Sequence, residues 1–112
     1  MAIANDKFSY LFGQVTSNSH NVARSNQLAL QMKRLGIFND QAGRSLLTES
    51  LENMVQNSKN ITNTFTKGSQ NFETRQALFA GHSGKFGVFE ATFEVMSDNT
   101  RRFTTLIIKG VE

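Results

Sequence analysis

The spacing of apolar residues changes character about halfway along the chain. Between residues 46 and 55, Leu46, Leu47, Leu51, Met54 and Val55 recur at intervals of three and four, which predicts a helix with one buried stripe. Asn39 and Asp40, just upstream, offer side-chain oxygens for its first free amides. An earlier helix is predicted after Thr16-Ser17-Asn18-Ser19, another run of capping residues, and it extends to about Leu35, where Gly36 supplies a stop. The cluster Phe8, Tyr10, Leu11 and Phe12, closed by Gly13, reads as a short helix or a pinning segment.

Past Ser58 the texture turns to β-branched and aromatic residues broken by Gly, Ser and Asn, the pattern of short strands and turns. Strands are predicted over Ile61 to Thr66, Phe72 to Phe79, Phe86 to Met96 and Arg101 to Ile108. A three-residue loop, Ser97-Asp98-Asn99, joins the last two and places Asn99 in the left-handed conformation that Asn tolerates. This hairpin sets Glu94 opposite Arg102 and Thr92 opposite Thr104. Phe89, Ala91, Phe93, Phe103, Thr105 and Ile107 then share the face beneath the helices, while Glu90, Thr92, Glu94, Arg102 and Thr104 share a polar, open face. The expected fold class is α+β, with N-terminal helices packed on a C-terminal four-stranded antiparallel sheet.

A length of 112 residues fits one domain with a modest core, a helical half of about 1–58 followed by a sheet half of about 59–112. Ten Phe residues supply large apolar groups for that core. A net charge of +3 helps attract a polyanion such as RNA. With no Cys and two His, neither a disulfide framework nor a thiolate zinc site is available, and a site without metal or cofactor is expected. No apolar run of ~18 residues or more is present, so membrane insertion is not expected.

Three groups of residues carry candidate chemistry. His20 opens the first long helix, with Arg24 and Leu28 on the same ridge, and it supplies an imidazole, the side chain that exchanges protons near neutral pH. A solvated or capping His is an equally good reading. Ala80-Gly81-His82-Ser83-Gly84-Lys85 brackets His, Ser and Lys between two glycines and two strands; it can wrap an anion, or be an ordinary hairpin loop with a surface Lys. Arg75, Arg101, Arg102, Thr104 and Thr105 occupy strand positions that can converge on the same mouth, although a charged pair across a hairpin is more often a solvated face. Metal-free RNA cleavage suits this set. The ribose 2′-hydroxyl attacks its own neighbouring phosphorus, so the protein needs a proton acceptor, a proton donor, and cations or hydroxyls around the phosphorus. Hydrolysis by paired carboxylates is less suited, because Glu90 and Glu94 are strand neighbours on a face that also carries Arg102.

Lys7-Phe8-Ser9-Tyr10-Leu11-Phe12, Ser17 to Arg24, Arg34-Leu35-Gly36 and the stretch from Phe72 to Ile108 form a familiar layout, with Arg75, Gly81, Ser83-Gly84-Lys85 and Thr104-Thr105 in order. It resembles the C-terminal toxin domains of bacterial polymorphic and contact-dependent growth inhibition systems, often built on the fold of the barnase, EndoU, colicin and RelE nucleases. The resemblance implies a ribonuclease carried on a larger exported protein into the cytoplasm of a rival cell and silenced by a dedicated immunity protein. It also implies roles: His20 as acid or base, Arg75 and Lys85 as phosphate-binding cations, Thr104 or Thr105 as the last-strand hydroxyl, and Arg24 supporting the phosphate. His82, Ser83 and Arg102 complete the candidate substrate contacts. The rival expectation is a non-catalytic interaction or adaptor module that uses the open sheet face.

Overall fold

A computed structural model describes residues 3, 5–14 and 18–110. Thr16 and Ser17, part of the predicted capping run, lie outside the described residues. Helix α1 spans Asn5–Leu11, α2 Ser19–Leu35 and α3 Gln41–Val55, and a 3-10 turn at Ser58–Asn60 leads into the sheet. Strands β1 (Ile61–Lys67), β2 (Gln70–Ala80), β3 (Phe86–Val95) and β4 (Arg101–Lys109) form an antiparallel sheet in sequential order.

The helix ends lie where local chemistry puts them. Asn18 caps α2 by accepting from the Asn21 amide at 2.9 Å, and Asp40 caps α3 by accepting from the Gly43 amide at 2.7 Å. At the other end of α2, Gly36 turns left-handed at φ 78° and the Ile37 amide reaches back to the Met32 carbonyl at 2.9 Å. That return bond is the usual way of stopping a helix at Gly.

The helices cover one face of the sheet, α3 against β2 and both α1 and α2 against β4. Leu28, Met32, Leu35, Leu47, Leu51 and Met54 meet Phe79, Phe89, Ala91, Phe93, Phe103, Leu106 and Ile108 in the core. Each of the larger side chains contributes about 1.5–3 kcal/mol by leaving water. Phe8 and Leu11 close the core from α1, and the buried Ser25 hydroxyl on α2 donates to the Tyr10 carbonyl, tying the two helices together.

One register differs from expectation. The final hairpin does place Asn99 at φ 67° and Glu94 opposite Arg102. Thr92, however, pairs with Thr105 rather than Thr104, because a β-bulge inserts one extra residue into β4. Beyond the bulge every side chain changes face, so Leu106 and Ile108 are buried while Ile107 is exposed and Thr105 half-buried. The bulge thus delivers two aliphatic residues to the core where simple alternation offers Thr105 and Ile107.

Candidate functional site

The uncovered face of the sheet carries a lattice of polar side chains. Glu94 on β3 is nearly buried at its base, accepting from the Arg102 guanidinium at 2.6 Å and from the Gln70 amide at 3.2 Å. Two pleat repeats back along β3, Glu90 accepts from Lys109 at 2.9 Å and from Gln76 at 2.5 Å. Between the two carboxylates the Thr74 and Thr92 hydroxyls meet at 3.2 Å, and the Thr104 hydroxyl donates to the Thr92 carbonyl at 2.8 Å. The hydrogen bond from Lys109, then that from Gln76, holds the Glu90 carboxyl below the ordinary value of 4.5, so it is ionised at neutral pH. The Arg102 and Lys109 side chains are 61% and 53% exposed, so both cations reach solvent while their carboxylate partners sit closer to the sheet.

The remaining predicted residues are dispersed, and the reasons are local. Arg75 points to the helix side and is 2% exposed. Its guanidinium donates to Glu73 at 2.9 Å, to the Met54 and Asn57 carbonyls at 3.0 and 2.8 Å, and to the Asn60 side chain at 2.9 Å. It therefore neutralises a buried carboxylate and caps the negative end of α3. The expectation that Arg75 touches a phosphate is corrected: its donors are spent inside the fold. Arg101 shares the same Glu73 oxygen at 2.6 Å.

The loop from Gly81 to Lys85 serves the end of α2. The Ser83 amide donates to the Leu35 carbonyl at 3.2 Å and the Ser83 hydroxyl to the Arg34 carbonyl at 2.6 Å, two of the carbonyls a helix leaves unpaired at its C-terminus. Gly81 is required there, since a Cβ would stand 2.0 Å from the Leu35 carbonyl oxygen. The Ser83 donors are thus engaged at the negative end of a helix. His82 and Lys85 are exposed on it.

His20 and Arg24 are exposed near the opposite end of α2. His20 lies 15 residues before Leu35, or about 22 Å along the axis, so one pocket does not hold both it and the Gly81–Lys85 loop. Arg24, with Gln27 and Gln31, lines a shallow groove against Leu106, Ile107 and Ile108 of β4. Of the nine candidates, Arg102 and Thr104 lie in the open-face lattice and Thr105 adjoins it across from Thr92. Gln70, Thr74, Gln76, Glu90, Thr92, Glu94 and Lys109 are the members that sequence reasoning left out of the site. Their signal was present for the two carboxylates, which alternation already puts on the polar face with Arg102.

The fold can be set beside a solved structure. The chain superposes on one from the contact-dependent growth inhibition toxin–immunity protein complex of Klebsiella pneumoniae 342 with a TM-score of 0.88 and 48% sequence identity, covering 96% of this chain and 98% of that one. This chain belongs to the contact-dependent growth inhibition toxin domains. No family model matches it, and no curated protein does either. The α+β architecture, helices followed by a four-stranded antiparallel sheet, is that of the toxin domain. No helix among its described residues is long and apolar enough to cross a membrane.

Proposed function

We propose that this toxin domain cleaves RNA without a metal ion, on the open face of its sheet, and that an immunity protein blocks it until it has been delivered into a target cell. The observation that carries this reading is the placement of two carboxylate–cation pairs, Glu90–Lys109 and Glu94–Arg102, on one uncovered face with the hydroxyls of Thr74, Thr92 and Thr104 between them. An incoming phosphodiester draws Lys109 and Arg102 toward its own oxygens. Glu90, relieved of part of its ion pair, becomes a better proton acceptor and takes the proton of the 2′-hydroxyl. The 2′-oxygen bonds to phosphorus, the bond from phosphorus to the 5′-oxygen breaks, and a 2′,3′-cyclic phosphate remains. The departing 5′-oxygen takes a proton from water, which the uncovered face admits. Glu94 positions Arg102, and the hydroxyls of Thr104 and Thr92 set the polar floor.

The test is incubation of purified protein with total RNA in excess chelator. The expected products carry 5′-hydroxyl and 2′,3′-cyclic phosphate ends, with DNA spared because it lacks the attacking hydroxyl. Glu90→Gln is expected to lose about 10²–10⁴-fold in rate. Intact RNA with wild-type protein overturns the proposal, and a full rate in Glu90→Gln removes that residue from the mechanism.

A further inference from the structure

Strand β1 adds almost nothing to the core. Its residues 62–67 are all exposed, its extensive contacts are with β2, and Thr64, Phe65, Thr66, Asn71, Phe72 and Val95 border an open hollow of about 480 Å³ beside it. What β1 does add is one large ring on the outer face. Phe65, 41% exposed, lies parallel to Phe72, with ring centroids 5.1 Å apart and an interplanar angle of 13°. Pairing runs from Phe65 to Phe72, from Phe72 to Glu94 and from Glu94 to Arg102, so the ring pair and the Arg102 cation stand in one row across all four strands. Phe72 and Arg102 are two strand spacings apart, about 10 Å. Lys67 follows Phe65 by two residues and shares its face.

An exposed aromatic pair with one cation, Lys67, along its strand and another, Arg102, two strands away offers a single strand a ring for a base and cations for its phosphates. Any base can stack on such a ring, and a phosphate on each side meets a cation. A duplex does not fit the same surface, because its bases are already stacked on one another. We propose that the Phe65–Phe72 pair is a nucleobase platform that makes single-stranded RNA the substrate class, with Lys67 and Arg102 taking the flanking phosphates. This rests on the reading that the open face receives RNA, and it adds the part of the face that selects unpaired strands.

The test measures binding of a short single-stranded RNA with 2′-O-methyl riboses, which binds without being cut, alongside cleavage of the unmodified strand and of its duplex. Phe65→Ala is expected to weaken single-strand binding about 5- to 100-fold with an unchanged melting temperature, and Phe65→Trp to restore it. Phe65→Thr, a strand former matching the other β1 residues, repeats the comparison should the Ala variant be unstable. Wild-type affinity in a folded Phe65→Ala or Phe65→Thr chain overturns the platform, as does equal binding of duplex and single strand. Loss of immunity-protein binding by a variant that keeps its RNA affinity would assign the ring pair to the protein partner. Unchanged cleavage in such a variant sinks the platform alone. Aromatic-dependent binding by a wild-type protein that never cuts sinks the cleavage reading alone.

Discussion

The two faces of the sheet carry the same kinds of charged residue and put them to opposite uses. Under the helices, Glu73 is held between Arg75 and Arg101, and the bonds of Arg75 end on the fold itself. On the open face, Glu94–Arg102 and Glu90–Lys109 keep their cations at the solvent boundary. The difference teaches that an ion pair becomes a binding element through coverage, not composition. A buried pair must satisfy every donor from within, whereas an exposed one can exchange its partner for a ligand at small cost.

The sharpest way to break this comparison is at Arg75. Arg75→Ala leaves Glu73 with one cation and strips a donor from the Met54 and Asn57 carbonyls, so urea denaturation should show a loss of about 3–5 kcal/mol. A loss under about 1 kcal/mol, the range of a solvated pair, would erase the distinction between the faces. Next in size is Thr104→Val on the bulge. It keeps the shape and removes one hydrogen bond to the Thr92 carbonyl, for an expected cost of about 0.5–1.5 kcal/mol in the same assay. Arg102→Ala should be smaller still, about 0–1 kcal/mol, since the guanidinium is exposed and screened and Glu94 keeps the Gln70 amide as a partner. RNA binding by Arg102→Ala should nevertheless fall, and the salt dependence of binding should flatten by about one phosphate contact. Equal RNA affinity and salt slope in wild type and Arg102→Ala would remove the open-face cation from recognition.

Much of the fold was legible because local chemistry and long-range packing agree. The Asn18 and Asp40 caps, the Gly36 stop, the α3 stripe and the left-handed Asn99 all lie where residue types alone place them. The site was less legible, for three identifiable reasons. Between residues 72 and 79 of β2 each alternating set holds two apolar residues, Phe72 and Leu78 on one and Ala77 and Phe79 on the other, so apolar count does not choose a face; the set that carries Glu73 and Arg75 is buried with those charges paired. Along β4, one extra residue reverses the faces of all that follow, and nothing in the alternation marks where a bulge falls. The Gly81–Lys85 loop looks like an anion turn until the α2 carbonyls that occupy Ser83 are seen, and those lie 48 or more residues away in sequence. Lys109 escaped because the predicted strand stopped one residue short of it.

The smallest effect concerns protons, and it tests the Glu90–Lys109 pair without requiring catalysis. Glu90 titrates below the ordinary 4.5 chiefly because Lys109 hydrogen-bonds its charged form, with Gln76 second. A carboxyl whose folded value is depressed gives stability that is present above its unfolded value and is lost as pH falls through the folded one. Lys109→Met should therefore raise the Glu90 midpoint toward 4.5, read from its side-chain carboxyl carbon by NMR, and should move any acid limb of RNA cleavage upward with it. Gln76→Ala should shift it in the same direction by less. If Lys109→Met leaves the midpoint in place, the cation is not what tunes this carboxylate. Removing it could then not make Glu90 a stronger base when a phosphate arrives, and the step that frees the proton acceptor would have no physical cause.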